Sequence, residues 1–231
     1  MSQPPAAEVV GVDGCPGGWV AIILGAGAVA GARFAARFGD LLAAIPTGAL
    51  VAVDIPIGLP ERGWRQADAA ARQFLRGQAS SVFSTPPRPV VEAPSYQEAN
   101  RRCRALTGQG LSRQAFALAR KILDVDRSRA EVGARLYEVH PEVSFRALAT
   151  TPLQAGKRTW TGHMQRRALL EQAGIVVPAD PGPAGRMAGV DDVLDAAVAA
   201  WSAQRIAAGT ARSLPDPPER DREGRAVAIW Y

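Results

Sequence analysis

Four aspartates have the spacing expected of a site that binds divalent metal ions. Asp192 and Asp195 are three residues apart, so on a helix their carboxylates share one face, close to the N-terminus, where the helix dipole favours negative charge. Asp13 and Asp54 each end a strongly apolar segment, where a carboxylate is difficult to solvate. For the helical pair there is an alternative, in which Asp191 and Asp192 cap the helix and Asp195 is a solvated residue in its first turns.

Carboxylates that lie close together require a positive charge. They repel one another and raise one another's pKa values, and Mg²⁺ or Mn²⁺ relieves the repulsion because hard cations take oxygen ligands. Two such ions can activate a water and stabilise the leaving oxygen of a phosphodiester. We therefore expect Asp13, Asp54, Asp192 and Asp195 to hold Mg²⁺ or Mn²⁺, provided that the strands carrying the first two are neighbours.

The elements that would bring these aspartates together follow in order along the chain. Apolar and alternating segments within residues 9–38 predict three antiparallel strands, the first two joined by a turn at Gly14–Gly18. A short helix at 40–45 precedes a buried strand at 50–55, which carries Asp54 near its end. A meander, a helix and then a central apolar strand is the order expected of an RNase H-like core.

The remaining chain predicts an insertion after the fourth strand and then a return to the core. Helices and a long Pro-rich loop at about 61–132 form the insertion. After the insertion we predict a strand at 135–140, short helices at 142–148 and 163–173, and a long helix at 192–208. A mobile Pro-rich segment at 212–224 and a last strand at 226–231 follow. We predict one RNase H-like α/β domain over residues 1–231, with a mixed five-stranded sheet flanked by helices.

Composition and charge indicate the cellular compartment and the class of partner more than the reaction. The formal net charge is +5 and nearly all basic residues are arginine, which fits nucleic acid or a phosphorylated metabolite as partner, although genome composition could equally explain it. Apolar segments are too short for a bilayer, and residues 1–8 lack a signal-peptide pattern. With Cys15 and Cys103 as the only cysteines, we expect a cytoplasmic protein without a membrane partner. The oligomeric state stays open, a homodimer being one alternative.

Further polar residues are candidates beside the aspartates. Glu138 and His140 share a face of the strand that Pro141 ends; they could supply a metal ligand and a proton shuttle or phosphate contact, or form a half-buried polar pair. Glu142 is expected only to cap or open the next helix. Six residues of the insertion could bind phosphate or a small ligand, or could serve as turn and cap residues: Ser80, Ser81, Arg88, Ser112, Gln114 and Lys121.

A basic cluster with an aromatic residue lies further along the chain. It consists of Lys157, Arg158, Arg166 and Arg167 together with Trp160 and His163. An aromatic ring among cations suits a nucleic-acid strand, through stacking and phosphate contacts. The alternative is the solvated face of a helix.

The chain resembles a known family, the group described as domain of unknown function 429, predicted RNase H-like nucleases. The resemblance covers almost the whole chain and rests on ordered segments at Gly11–Trp19, Asp54–Pro60, Ser80–Pro86 with Arg88, Gly110–Gln114, Lys121–Asp126, Glu138–Phe145 and Asp191–Ala196. The last is also similar to the end of RuvC-type resolvases, which usually place Glu on the fourth strand, where this chain has Asp54. The resemblance implies the RNase H-like fold and a metal-dependent nuclease, without a substrate.

The function predicted from the sequence is therefore a metal-dependent hydrolase, a nuclease that uses Mg²⁺ or Mn²⁺ to cleave DNA or RNA. One alternative is a small-molecule phosphotransferase or ATPase-like enzyme on the same core, because Asp13–Gly18 is similar to the phosphate-binding opening of actin-like kinases. The chain is short for the two core domains that such enzymes usually have. The other alternative is a non-catalytic binding module.

Overall fold

A computed structural model describes residues 8–26, 28–149 and 151–231. Residues 1–7, on which much of the expectation about a signal peptide rests, lie outside the described residues. The strands and helices are, in chain order, β1 (Val9–Cys15), β2 (Gly18–Gly25), β3 (Ala28–Ala35), α1 (Phe38–Ala44), β4 (Leu50–Val53), α2 (Gln66–Leu75), α3 (Arg88–Val91), α4 (Tyr96–Thr107), α5 (Arg113–Val132), β5 (Leu136–Glu138), α6 (Pro141–Leu148), α7 (Trp160–Gln172), α8 (Pro183–Met187), α9 (Val190–Ala207), β6 (Ser213–Arg220) and β7 (Ala226–Trp230). In the described ranges, no helix is long and apolar enough to cross a membrane.

The main sheet has five strands in the order β3-β2-β1-β4-β5. β1 pairs antiparallel with β2 and parallel with β4, and β5 adds in parallel to β4. β1 and β2 are buried almost along their whole length, as expected for the apolar central strands of a sheet covered on both faces. The mixed five-stranded sheet of the RNase H-like fold, predicted from the sequence, is confirmed.

The chain forms two compact units, each described by itself. The first comprises the described residues up to Asp54, then Glu131–Ala211 and Trp230–Tyr231. The second comprises Ile55–Ala130 and Arg212–Ile229. It contains most of the predicted insertion and, in addition, β6 and nearly all of β7.

In the first unit, α9 packs directly on the central strand of the sheet. A Cβ atom at Gly11 of β1 would lie 2.0 Å from the amide nitrogen of Ala200 and 2.1 Å from the carbonyl oxygen of Ala196. The α9 side of this contact is built from buried alanines, whose small side chains allow a close approach of helix and strand. The contact fixes Asp195, next to Ala196, over the face of β1 that carries Gly11 and Asp13, because alternate residues of a strand share a face.

The second unit corrects the expectation of a mobile segment at 212–224. Most of that segment is β6, which pairs with β7 in a two-stranded sheet. Both strands are edges, where a proline without an N–H group is tolerated. Glu219 of β6 also accepts hydrogen bonds from the backbone N–H groups of Gln66 and Ala67 at 2.9 and 3.2 Å, so it satisfies donors at the start of α2.

Candidate carboxylate site

Asp13 and Asp54 lie side by side at one end of the sheet. Val12 of β1 pairs with Val53 of β4, and the N–H group of Asp54 donates to the carbonyl oxygen of Val12 at 3.0 Å. The two aspartates are therefore the next residues in register and project from the same face, the one that α9 covers. The neighbouring strands that the predicted site requires are present, with Asp13 buried and Asp54 partly buried.

Asp195 approaches this pair from α9 and is completely buried. Its Oδ2 atom accepts a hydrogen bond from the Nζ of Lys157 at 2.6 Å, whereas its Oδ1 atom is buried without a hydrogen-bond partner. A buried carboxylate oxygen without a partner costs free energy. The alternative of a solvated Asp195 is thus wrong, and its carboxylate has unused capacity to accept a ligand.

Asp192 caps α9 and also lies beside the other aspartates, two roles that the sequence left as alternatives. Its carboxylate accepts a hydrogen bond from the N–H group of Gly189 at 3.0 Å and closes the first turn of α9. Its charge also helps to raise the pKa of Asp13. Asp192 is therefore a helix-capping residue that lies beside the carboxylate site.

Burial raises the pKa values of the three inner carboxyl groups. It is the largest cause for Asp13, whose pKa lies well above its ordinary value, with repulsion from Asp54 and Asp195 adding to the effect. Burial also raises the pKa of Asp54 to about 7 and the pKa of Asp195 to about 7, and the nearby charge of Lys157 opposes both shifts. At neutral pH these carboxyl groups are therefore only partly ionised, because the positive charge of Lys157 does not offset their burial.

Lys157 is the main cation of the site, a role that the sequence did not predict. Burial lowers the pKa of its ammonium group, but the charges of Asp195, Asp13 and Asp54 and the bond to Asp195 raise that pKa above its ordinary value overall. The sequence placed Lys157, one of two lysines in a chain rich in arginine, in a basic cluster suited to nucleic acid and did not connect it with the aspartates. Its partner, Asp195, is 38 residues away, so no local pattern could have identified the pair.

Glu142 is a second residue of the site that the sequence did not identify. It lies in the first turn of α6, and its charge helps to raise the pKa values of Asp54 and Asp195. Its Oε1 atom accepts a hydrogen bond at 2.7 Å from Arg166, whose side chain is only 2% exposed. Glu142 thus lies in the first turn of α6, as expected, and also forms a largely buried ion pair with Arg166 near the aspartates.

Comparison with known proteins gives a family. A family model described as "Protein of unknown function (DUF429)" matches residues 11–220. The chain belongs to this family. Neither the curated proteins nor the solved structures contain a significant match. The range that matches the DUF429 model contains the four aspartates, Glu142 and Lys157, but the family's description names no reaction.

In this DUF429 protein, Glu138 and His140 are not brought to the aspartates by the sheet. Glu138 is the register partner of Val53, whereas Val139 follows beside Asp54 and donates its N–H group to the carbonyl oxygen of Val53 at 3.0 Å. Because register partners share a face and neighbours alternate, the buried Glu138 side chain projects from the face opposite Asp13 and Asp54. The metal and proton-transfer roles of Glu138 and His140 stay predictions.

The candidates in the predicted insertion lie in the second unit of the DUF429 chain. Arg88 forms a two-pronged ion pair with Asp126 at 2.7 and 3.1 Å. Ser112 accepts a hydrogen bond from the N–H group of Ala115 at the start of α5, and the Ser81 hydroxyl donates to the carbonyl oxygen of Gln78. These three thus have turn, cap and ion-pair contacts, while Ser80 and Gln114 are exposed and Lys121 is partly buried. Phosphate or ligand binding by the six residues stays a prediction.

The aspartates suit a hard metal ion by their chemistry more than by their present spacing. Within the described part of the chain, no group of three or more His, Cys, Asp and Glu residues is arranged to hold a metal ion. The donors are nevertheless all carboxylate oxygens, the ligands that Mg²⁺ and Mn²⁺ take, and Oδ1 of Asp195 is buried without a partner. In donor type these residues therefore suit such an ion, although their arrangement in the described residues is not that of a formed metal site.

We expect the metal-free DUF429 protein to lose stability as the pH rises from about 5 to about 8. The folded-state pKa values of Asp54 and Asp195, both about 7, exceed the ordinary value of 3.8. The protonated folded state is thus favoured at low pH, and this contribution is lost as the pH rises through about 7. Thermal unfolding in EDTA across this range measures the effect.

Asp54→Asn tests the cause of this pH dependence, because the amide cannot ionise. The variant should show a shallower fall in Tm, while Asp40→Asn, which alters an exposed carboxylate in α1, should keep the wild-type slope. Equal slopes for wild type and Asp54→Asn would contradict the raised pKa of Asp54.

Proposed function

We propose that this DUF429 protein is a metal-dependent hydrolase that cleaves the phosphodiester bonds of nucleic acid, DNA or RNA. The observation that carries the proposal is the meeting of Asp13, Asp54 and Asp195 from β1, β4 and α9 of an RNase H-like sheet. One of their buried oxygens, Oδ1 of Asp195, has no hydrogen-bond partner. The resemblance of the sequence to predicted RNase H-like nucleases and to the end of RuvC-type resolvases points to the same reaction.

In this proposal the aspartates bind the metal ion and the metal ion supports the reaction. When bound, Mg²⁺ or Mn²⁺ would supply charge neutralisation and a nucleophilic water at neutral pH. Asp13, Asp54 and Asp195 would hold the metal, with Asp192 as a fourth candidate at the start of α9. Burial of these carboxylates strengthens their attraction for a cation, because charges interact more strongly away from bulk water.

Two exposed side chains near the Lys157 turn favour a polymeric substrate. Trp160, the first residue of α7, is 79% exposed, and the side chain of Arg158 is 88% exposed. An exposed indole two residues along the chain from an exposed cation suits an unpaired base next to a phosphate. The net charge of +5 also favours a polyanion over a small neutral substrate.

The proposal is tested by incubating the protein with Mg²⁺ or Mn²⁺ and labelled single-stranded, duplex and branched DNA and RNA. We expect cleavage of at least one substrate that stops when EDTA is added. Asp13→Asn should reduce the rate at least about 100-fold, because losing an outer-shell partner of a metal ligand already costs 10–100-fold. Asp40→Asn, the exposed control, should cleave at the wild-type rate. An Asp13→Asn variant as fast as wild type on every cleaved substrate would refute the proposal.

A further inference from the structure

We propose that Lys157 is an internal counter-cation that a divalent metal ion must displace from Asp195, so that Lys157 weakens metal binding and stabilises the metal-free protein. The inference rests on the proposed function, since it takes the carboxylate site for a metal site. Its basis is the 2.6 Å contact of the Lys157 ammonium with Oδ2 of Asp195, made within the combined fields of Asp13 and Asp54.

The turn that carries Lys157 is fixed against α7. A Cβ atom at Gly162 would lie 2.0 Å from the carbonyl oxygen of Gly156, so the glycine allows the turn and the helix to touch. Thr159 completes the attachment: its hydroxyl donates to Gly156 at 2.9 Å and accepts from the N–H group of Gly162 at 3.1 Å. The backbone of Lys157 is therefore held in place, and only its side chain has to move for Asp195 to be freed.

Arg166 provides a second cation that cannot leave as easily. Its guanidinium donates to the carbonyl oxygens of Ala155 and Gly162 at 3.2 and 3.3 Å and to Glu142 at 2.7 Å. Lys157 is instead 38% exposed and ends in a point charge on a flexible stem. Of the two cations, Lys157 is thus the one that can be exchanged, while Arg166 stays with Glu142.

A metal ion and the Lys157 ammonium cannot both lie against Asp195, for reasons of space and charge. A metal ion would lie about 2.1 Å from a carboxylate oxygen, and the ammonium already lies 2.6 Å from the same group. Two cations at such distances repel each other strongly in a buried site. Whatever stabilises the lysine-bound state therefore reduces metal affinity by the same free energy.

The test compares Mn²⁺ binding by calorimetry and the Tm in EDTA for wild type, Lys157→Met and Arg158→Met. Lys157→Met removes the ammonium and keeps an unbranched side chain, and we expect about 10-fold tighter Mn²⁺ binding together with a lower Tm. Arg158→Met removes a neighbouring positive charge 3.8 Å from Asp191, and it should leave both quantities near wild type. A merely structural Lys157 would lower the Tm without tightening Mn²⁺ binding.

The outcomes separate this inference from the proposed function. Binding to wild type with equal or weaker binding to Lys157→Met overturns the inference alone. Mn²⁺ binding to Lys157→Met but not to wild type supports it. If neither protein binds Mn²⁺, the inference and the metal-dependent function are both overturned. Should Lys157→Met fail to fold, Lys157→Gln, whose amide can still donate to Asp195, takes its place with the same expected direction.

Discussion

Replacing Gly11 with alanine should lower the stability of the protein by about 3 kcal/mol, the upper end for overpacking a core. For a chain of this size that corresponds to a fall in Tm of roughly 6–12 °C. The added methyl group would lie 2.0 Å from the backbone nitrogen of Ala200 and 2.1 Å from the carbonyl oxygen of Ala196. Because both atoms belong to the backbone of α9, no side-chain rotation can relieve the clash, and the helix itself must move.

Thermal unfolding followed by circular dichroism measures this effect, with Gly31→Ala as the matched control. Gly31 lies in β3 of the same sheet, and the nearest atom to its added Cβ is the end of the flexible Arg33 side chain at 3.4 Å. The control should change the Tm little. Movement of α9 in Gly11→Ala would also carry Asp195 away from Asp13, so any Mn²⁺ binding should weaken. An unchanged Tm for Gly11→Ala would refute the close packing of α9 on β1.

The case of Gly11 shows which parts of the fold local sequence could predict. Apolar runs and turn residues are local features, and they were sufficient to place Asp13 and Asp54 at the ends of apolar strands, whereas the pairing of those strands was only a condition of the predicted site. Gly11 itself belongs to such an apolar run, and nothing in its neighbourhood reveals that a helix almost 190 positions later touches it. Close approach of backbones is a tertiary property, so it appears only when β1 and α9 are assembled.

Strand register explains why Glu138, predicted to join the aspartates, lies on the opposite face of the sheet from Asp13 and Asp54. A shift of one residue in strand pairing moves a side chain to the other face of a sheet. Alternation along the strand predicted that Glu138 and His140 share a face, but the pairing of Glu138 with Val53 depends on the neighbouring strand. Lys157 is a similar case, because its ion pair with Asp195 joins a turn to a helix that follows much later.

The prediction of a mobile segment at 212–224 was wrong for a related reason. Its many prolines and polar residues favour loops by local propensity. The pairing of β6 with β7 and the contacts of Glu219 with the start of α2 override that propensity. Partners distant in sequence thus decide the structure of the segment.

Replacing Asp195 with asparagine should weaken function and increase stability at the same time. We expect Mn²⁺ binding and any metal-dependent cleavage to fall at least about 100-fold, because a buried charged ligand is lost. In EDTA at about pH 8, however, the Tm should rise, because ionised Asp195, with a pKa raised to about 7 chiefly by burial, is costly in the folded state. At about pH 5 the wild-type carboxyl is protonated, so the gain should largely disappear.

Asp195→Asn should raise the Tm and weaken Mn²⁺ binding because the metal-free and metal-bound states respond differently to the loss of the Asp195 charge. Asparagine has nearly the shape of aspartate and cannot ionise, and the Lys157 side chain, being 38% exposed, can turn its ammonium group to water when its partner is removed. A folded state without metal therefore gains from the loss of the charge, whereas a state with metal loses an anionic ligand. Such a loss of stability at the carboxylate site would match the common trade-off between stability and function.

Asp191→Asn is the control for this experiment, because it removes a carboxylate from the same end of α9 whose oxygen lies 3.8 Å from Arg158. It should change neither Mn²⁺ binding nor the pH dependence of the Tm by a comparable amount. Loss of Tm in Asp195→Asn at about pH 8 would mean that the ion pair with Lys157 outweighs burial of the charge. Unchanged Mn²⁺ affinity would mean that Asp195 is not a ligand, and the carboxylate site would then have a structural role only.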